Sequence, residues 1–208
     1  MRNVLTVVML FFMASSAKGV IISADADGYS GGANISTAFA GMTLSSVGSA
    51  SGLDGFVYAY DDVAASTGTG VFGHNLPDHT KWYHDAWPSS NHPEDFALRA
   101  DFDAPADWVS IDIICDDIYD YAMLWAYNSD GLLVDFIWTE PPLTPVEVVT
   151  ATISRQAFDI SYIIAGGTFA NSESFVYLDN LTANIIPEPA TVLMFGLGGL
   201  VLRKKHKR

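Results

Sequence analysis

Trp108-Val109-Ser110-Ile111-Asp112-Ile113-Ile114-Cys115 carries the first decision about the fold. Apolar and polar residues alternate through Ile113, which puts Val109, Ile111 and Ile113 on one face of an extended chain. Outward from this run, similar apolar stretches rich in β-branched and aromatic residues recur between clusters of Gly, Asn, Asp and Ser. They predict strands at 20–24, 34–39, 42–46, 56–60, 96–102, 108–115, 122–128, 132–139, 146–154, 160–164 and 175–185. Asp130-Gly131 between two apolar runs predicts a hairpin turn. Pro141-Pro142 and Pro145 break any strand and mark a crossing. No helical pattern of ten residues stands out between the ends of the chain. The expected architecture is all-β: an antiparallel two-sheet sandwich, jelly-roll-like, forming one domain over 20–186.

The 208 residues leave room for one domain of ordinary size, and at half hydrophobic they can fill its core. Charge is unevenly placed. Residues 20–186 hold only three basic side chains, Lys81, Arg99 and Arg155, but all the acids except Glu188, a formal charge of about −20. Such a surface repels phosphates, so no nucleic-acid partner is expected. It suits a saline or calcium-containing exterior, or plain solubility. The one cysteine, Cys115, sits in an apolar run and reads as a small buried hydrophobe.

The two ends read as addresses. Residues 1–19 place Arg2 before an apolar run from Val4 to Ala14, then Ala17-Lys18-Gly19. That is the pattern of a secretory signal peptide, with cleavage expected after Gly19, or alternatively after Ala17. The segment 187–208 begins Pro187-Glu188-Pro189, continues as the apolar run Ala190 to Leu202, and ends in a basic cluster from Arg203. The prolines exclude a helix and present extended backbone that an enzyme can grip. The run 190–202 is expected to enter a membrane as a short hydrophobic helix, with the basic cluster staying in the cytoplasm. Thirteen residues rise only about 20 Å against a hydrocarbon core of about 30 Å, a length suited to a temporary hold.

In the order of its three parts this tail resembles the PEP-CTERM sorting signal. The resemblance implies recognition at Pro187, Glu188 and Pro189 by an exosortase-type membrane protease, transient inner-membrane anchoring, and then a place at the cell surface or outside the cell. It also implies a Gram-negative host that makes exopolysaccharide, which becomes a candidate partner. Within the body, the stretches 102–112, 124–131 and 175–181 are similar to the jelly-roll sandwich of many PEP-CTERM proteins and of galactose-binding-like domains. There the last core strand often ends in a pair like Asp179-Asn180.

Three constellations are candidates for chemistry. Asp25-Ala26-Asp27-Gly28, Asp61-Asp62 and Asp116-Asp117-Ile118-Tyr119-Asp120 cluster carboxylates in loops. Calcium takes six to eight oxygens, so one structural Ca2+ could join Asp25 and Asp27 to Asp179; solvated turns are the plainer reading. No cofactor is otherwise expected. The stretch 74–92 collects His74, His79, His84, His92, Trp82, Tyr83 and Trp87. Its histidines lack a recognised ligand spacing, so no metal is assigned to them. Trp82 and Trp87 could instead stack on a sugar ring or act as lids on the core. Paired carboxylates for glycoside hydrolysis have no defined placement among Glu94, Glu140, Glu147 and Glu173. The expected function is therefore non-catalytic: an exported surface or exopolysaccharide-matrix protein. A carbohydrate-binding module using the 74–92 loop is the alternative, and a secreted glycan hydrolase the third.

Overall fold

The computed structural model describes residues 19–84, 95–115, 118, 120–139, 147–168 and 174–186. The expected signal peptide, the sorting motif Pro187, Glu188 and Pro189, the helix 190–202 and Trp87 lie outside the described residues. The chain divides into two units, and the larger, Ile21–Ile185, holds almost all of the sheet.

Eleven strands follow in chain order: β1 (Val20–Ala24), β2 (Ala33–Asn34), β3 (Met42–Val47), β4 (Tyr58–Asp61), β5 (Gly70–Gly73), β6 (Ala97–Cys115), β7 (Tyr121–Tyr127), β8 (Leu133–Thr139), β9 (Glu147–Ser154), β10 (Ile160–Thr168) and β11 (Val176–Ile185). No helix occurs among the described residues. The all-β antiparallel class is as expected from the sequence. The ladder differs from two separate sheets: hydrogen bonding runs unbroken in the order β2-β4-β5-β11-β6-β10-β7-β8, with β1 on β11 and with β3 and β9 on β6.

Strand β6 makes that continuity. The sequence predicts two strands there, 96–102 and 108–115, with Pro105, which removes a ladder donor, between them. Instead the chain runs through. Its first half lies between β3 and β10, and its second half between β9 and β11. At Ala106 it aligns with both Ile160 and Ile185, and the register slips next to each of them. Irregular pairing on both sides accommodates the missing donor, so the strand bends instead of ending.

The hairpin β7–β8 forms at the expected turn. Gly131 takes φ +76°. Asn128 Oδ1 accepts from the N–H groups of Asp130 (3.0 Å) and Leu132 (2.9 Å). Strand β5 was not legible: two of its four residues are glycine, which contributes no strand propensity. The segment 34–39 is strand only at Asn34, whose side chain bonds Ser36 N–H and turns the chain.

One apolar cluster joins both halves of β6: Leu98 and Ala100 with Leu124 and Ile163, and Val109, Ile111, Ile113 and Cys115 with Leu178 and Leu181. The polar face of 108–113 is not solvent-facing, because Ser110 and Asp112 are each 8% exposed. Another part of the chain covers Asp112.

Candidate functional site

The cover is the segment between β4 and β5, and carboxylates hold it down. Asp179 of β11 stands opposite Asp112 of β6. After it the register slips and Asn180 takes φ +48°, which suits a short polar side chain. Asp179 Oδ2 accepts from Ser66 N–H (3.0 Å), Ser66 Oγ (2.9 Å) and Thr67 N–H (3.1 Å), and Oδ1 from Asn180 N–H (2.8 Å). Asp112 accepts from Ser66 Oγ (2.9 Å), Asn180 Nδ2 (3.1 Å) and Thr150 Oγ1 (2.6 Å). The Ser66 hydroxyl carries a single proton, so it serves one carboxylate at a time.

The N-terminal acids hold the same segment from the other side. Asp25 Oδ2 accepts from Thr67 Oγ1 (3.2 Å), and Asp25 Oδ1 from Asp27 N–H (2.8 Å). Asp27 Oδ1 accepts from Thr69 N–H (2.9 Å) and Gly70 N–H (2.7 Å). Gly68 passes so close that an added Cβ would collide with the Asp27 carboxylate. Asp179 has no exposed surface, and burial is the chief cause raising its pKa above 3.8. The Thr67 N–H and the Ser66 hydroxyl oppose that rise, and the charge of Asp25 adds to it.

The residues expected to meet, Asp25, Asp27 and Asp179, thus converge on one segment, 66–70. What these carboxylates hold is backbone N–H and hydroxyl groups, and no group of three or more His, Cys, Asp or Glu among the described residues is arranged to hold a metal. Sequence reasoning missed Ser66, Thr67 and Asp112. A polar residue inside an apolar strand run was the available signal for Asp112.

The aromatic stretch also needs correction. Trp82 is fully buried, its backbone bridges Val176, and its indole N–H donates to Phe72 O at 2.9 Å. It offers no face to a sugar. His74 is buried beside it, with ring centroids 5.0 Å apart. His74 Nδ1 accepts Leu76 N–H (3.2 Å), so the Nε2 that lies 2.7 Å from Lys81 O carries the proton. Burial lowers the His74 pKa from 6.5, which agrees with this neutral ring. His79 lies on Tyr60 and His84 against Asp95, so these histidines go to different partners.

Residues 186–206 match the PEP-CTERM protein-sorting motif. The chain carries a PEP-CTERM sorting signal. The motif starts at Ile186, one residue beyond β11, so it follows directly on a strand inside the sheet. It takes in Pro187, Glu188 and Pro189. A PEP-CTERM motif is a signal for exosortase processing and implies export and membrane-associated sorting to the cell surface. No helix among the described residues is long and apolar enough to cross a membrane.

No curated protein matches the chain in sequence. Solved structures with a similar arrangement include the K2 cleaved adhesin domain of Lys-gingipain, 13% identical, covering 83% of this chain and 94% of that one, with a TM-score of 0.37. The K1 adhesin domain of Lys-gingipain from Porphyromonas gingivalis W83 is 10% identical over 80% and 93% of the two chains, TM-score 0.30. An arabinose-bound α-L-arabinofuranosidase is 9% identical over 81% of this chain, TM-score 0.41; this chain spans only 26% of that protein's length.

Proposed function

We propose that this protein is a non-catalytic β domain, structural or adhesive, delivered by its PEP-CTERM signal to the cell envelope or exopolysaccharide matrix. The observation that carries the reading is the motif at 186–206 beginning directly after β11. In this reading the signal peptide starts export. The run 190–202 and its basic cluster hold the tail at the inner membrane until an exosortase-type protease acts at Pro187-Glu188-Pro189. A non-catalytic role is supported by Asp112 and Asp179, which are buried and accept from Ser66 and Thr67.

Deleting 187–208 tests the sorting reading. Cell fractionation and surface labelling should show the intact chain at the surface and the truncated chain lost from it. Equal surface retention of the two would overturn the proposal. A structural calcium between Asp25 and Asp179 is a separate proposal, favoured by both carboxylates reaching the one Thr67 hydroxyl. A melting temperature that rises with calcium and falls back with chelator carries it; an unchanged melt removes it.

A further inference from the structure

The face of β10, β7 and β8 opposite the core bears a different chemistry from the acid-held region. Register aligns Arg99, Ile164, Trp125 and Phe136 across four strands, and in the next row Asp101, Tyr162 and Tyr127. The core-facing residues between them are Leu98, Ala100, Ile163, Leu124 and Ala126, so these two rows point the other way. The Tyr127 and Tyr162 rings stack at 4.8 Å and 7°. The Arg99 guanidinium lies over Tyr162 at 3.9 Å. Asp101 holds it there through Nε at 2.8 Å and through Nη2. His84, paired with Asp95 at 2.9 Å, meets Trp125 edge-on at 4.8 Å. Phe136 is 54% exposed beside them.

We propose that this face binds a neutral polysaccharide chain laid across β8, β7, β10 and the first half of β6. A sugar ring has apolar C–H surfaces edged by hydroxyls that both donate and accept. Its partner surface therefore needs aromatic carbon beside groups of both kinds. This face supplies the exposed Phe136 and the partly exposed, mutually stacked Tyr127 and Tyr162, packed over the buried Trp125, with one partly exposed ion pair, Arg99–Asp101, and the mostly buried His84–Asp95 contact beside them. Their order before binding lowers the entropy cost of capture. Four strands at the usual spacing span roughly 14 Å, longer than a single sugar ring.

Charge selects the occupant. Arg99 is one of only three basic side chains in 20–186 and is matched by Asp101. The body, at about −20, repels polyanions and anionic lipid. A second copy carries the same charge and is repelled as well. A neutral glycan meets neither barrier. The site supplies a contact for the matrix reading above and relies on that reading only for where the glycan is encountered. Binding in vitro stands or falls independently of sorting.

The test uses the full-length chain in detergent micelles, titrated by tryptophan fluorescence with hydroxyethylcellulose, laminarin and galactomannan, and with alginate as the polyanion. At least one neutral polymer should bind more tightly than alginate. Phe136→Ala and Tyr162→Ala should each weaken that binding by about tenfold, the melting temperature holding for the exposed Phe136 and falling by a few degrees for the partly buried Tyr162. Val148→Ala, at an exposed apolar residue of β9, should change nothing. The proposal is overturned if no neutral polymer binds, if alginate binds best, or if the double variant Phe136→Ala/Tyr162→Ala binds as wild type does. Sedimentation showing a dimer that Phe136→Ala dissolves would also overturn it, in favour of self-association.

Discussion

The two halves of β6 present the same backbone with opposite outer faces. Along the second half, Ser110 and Asp112 are buried, Ser66 reaches Asp112, and Asp179 and Asp27 hold segment 66–70 by its own N–H groups. Along the first half, Arg99 and Asp101 stay partly exposed beside a row of aromatic rings. A covered polar face must satisfy each polar atom internally, because water cannot. An open face keeps its hydrogen-bonding capacity for something outside the chain. One half is thus organised for stability and the other for contact.

Substitutions should separate the two halves by what they disturb. The largest loss is expected on the covered side. Trp82→Ala removes a fully buried ring whose indole N–H donates to Phe72 O, and should cost about 4 kcal/mol in urea unfolding. Asp179→Ala leaves the Ser66 and Thr67 N–H groups without their acceptor and should cost about 3 kcal/mol. Gly68→Ala, at φ +47° and against Asp27, should cost about 1–2 kcal/mol. If Asp179→Ala were instead neutral in unfolding, the covered half would not be held by its carboxylates.

Acidity sharpens the contrast further. The His74 pKa is lowered in the fold, so its contribution is present above 6.5 and lost as pH falls through the lowered folded value. The stability gap between wild type and His74→Gln should therefore narrow on acidification. Asp179 runs the other way. Its pKa is raised, so its contribution is present below 3.8 and lost as pH rises through the raised folded value. Denaturant titrations across this range read both signs. The smallest effects belong to the open half: Phe136→Ala should change stability by no more than about 0.5 kcal/mol.

Much of this was legible in the residues. Period-two patterning located the strand at 42–46 to within a residue of β3 and the hairpin at Asn128 to Gly131. The order of Pro187-Glu188-Pro189, an apolar run and a basic end identified the sorting signal, because those parts act through local chemistry. The meeting of Asp25 and Asp179 around Thr67 was readable only as a loose expectation. Its partner Ser66 lies 113 residues from Asp179 in the chain. Nothing local to either residue announces the other.

Sequence alone determined the strand class, the acidity of the body and the address at its carboxyl end, since each follows from residue type and nearest neighbours. Tertiary structure decided that β6 bends through Pro105 instead of ending, that Trp82 is core, and that Phe136 and Tyr162 face outward. The physical reason is that alternation groups residues onto a face but does not say what covers it. Covering depends on segments brought in from far along the chain, whose placement is set by the packing of the whole.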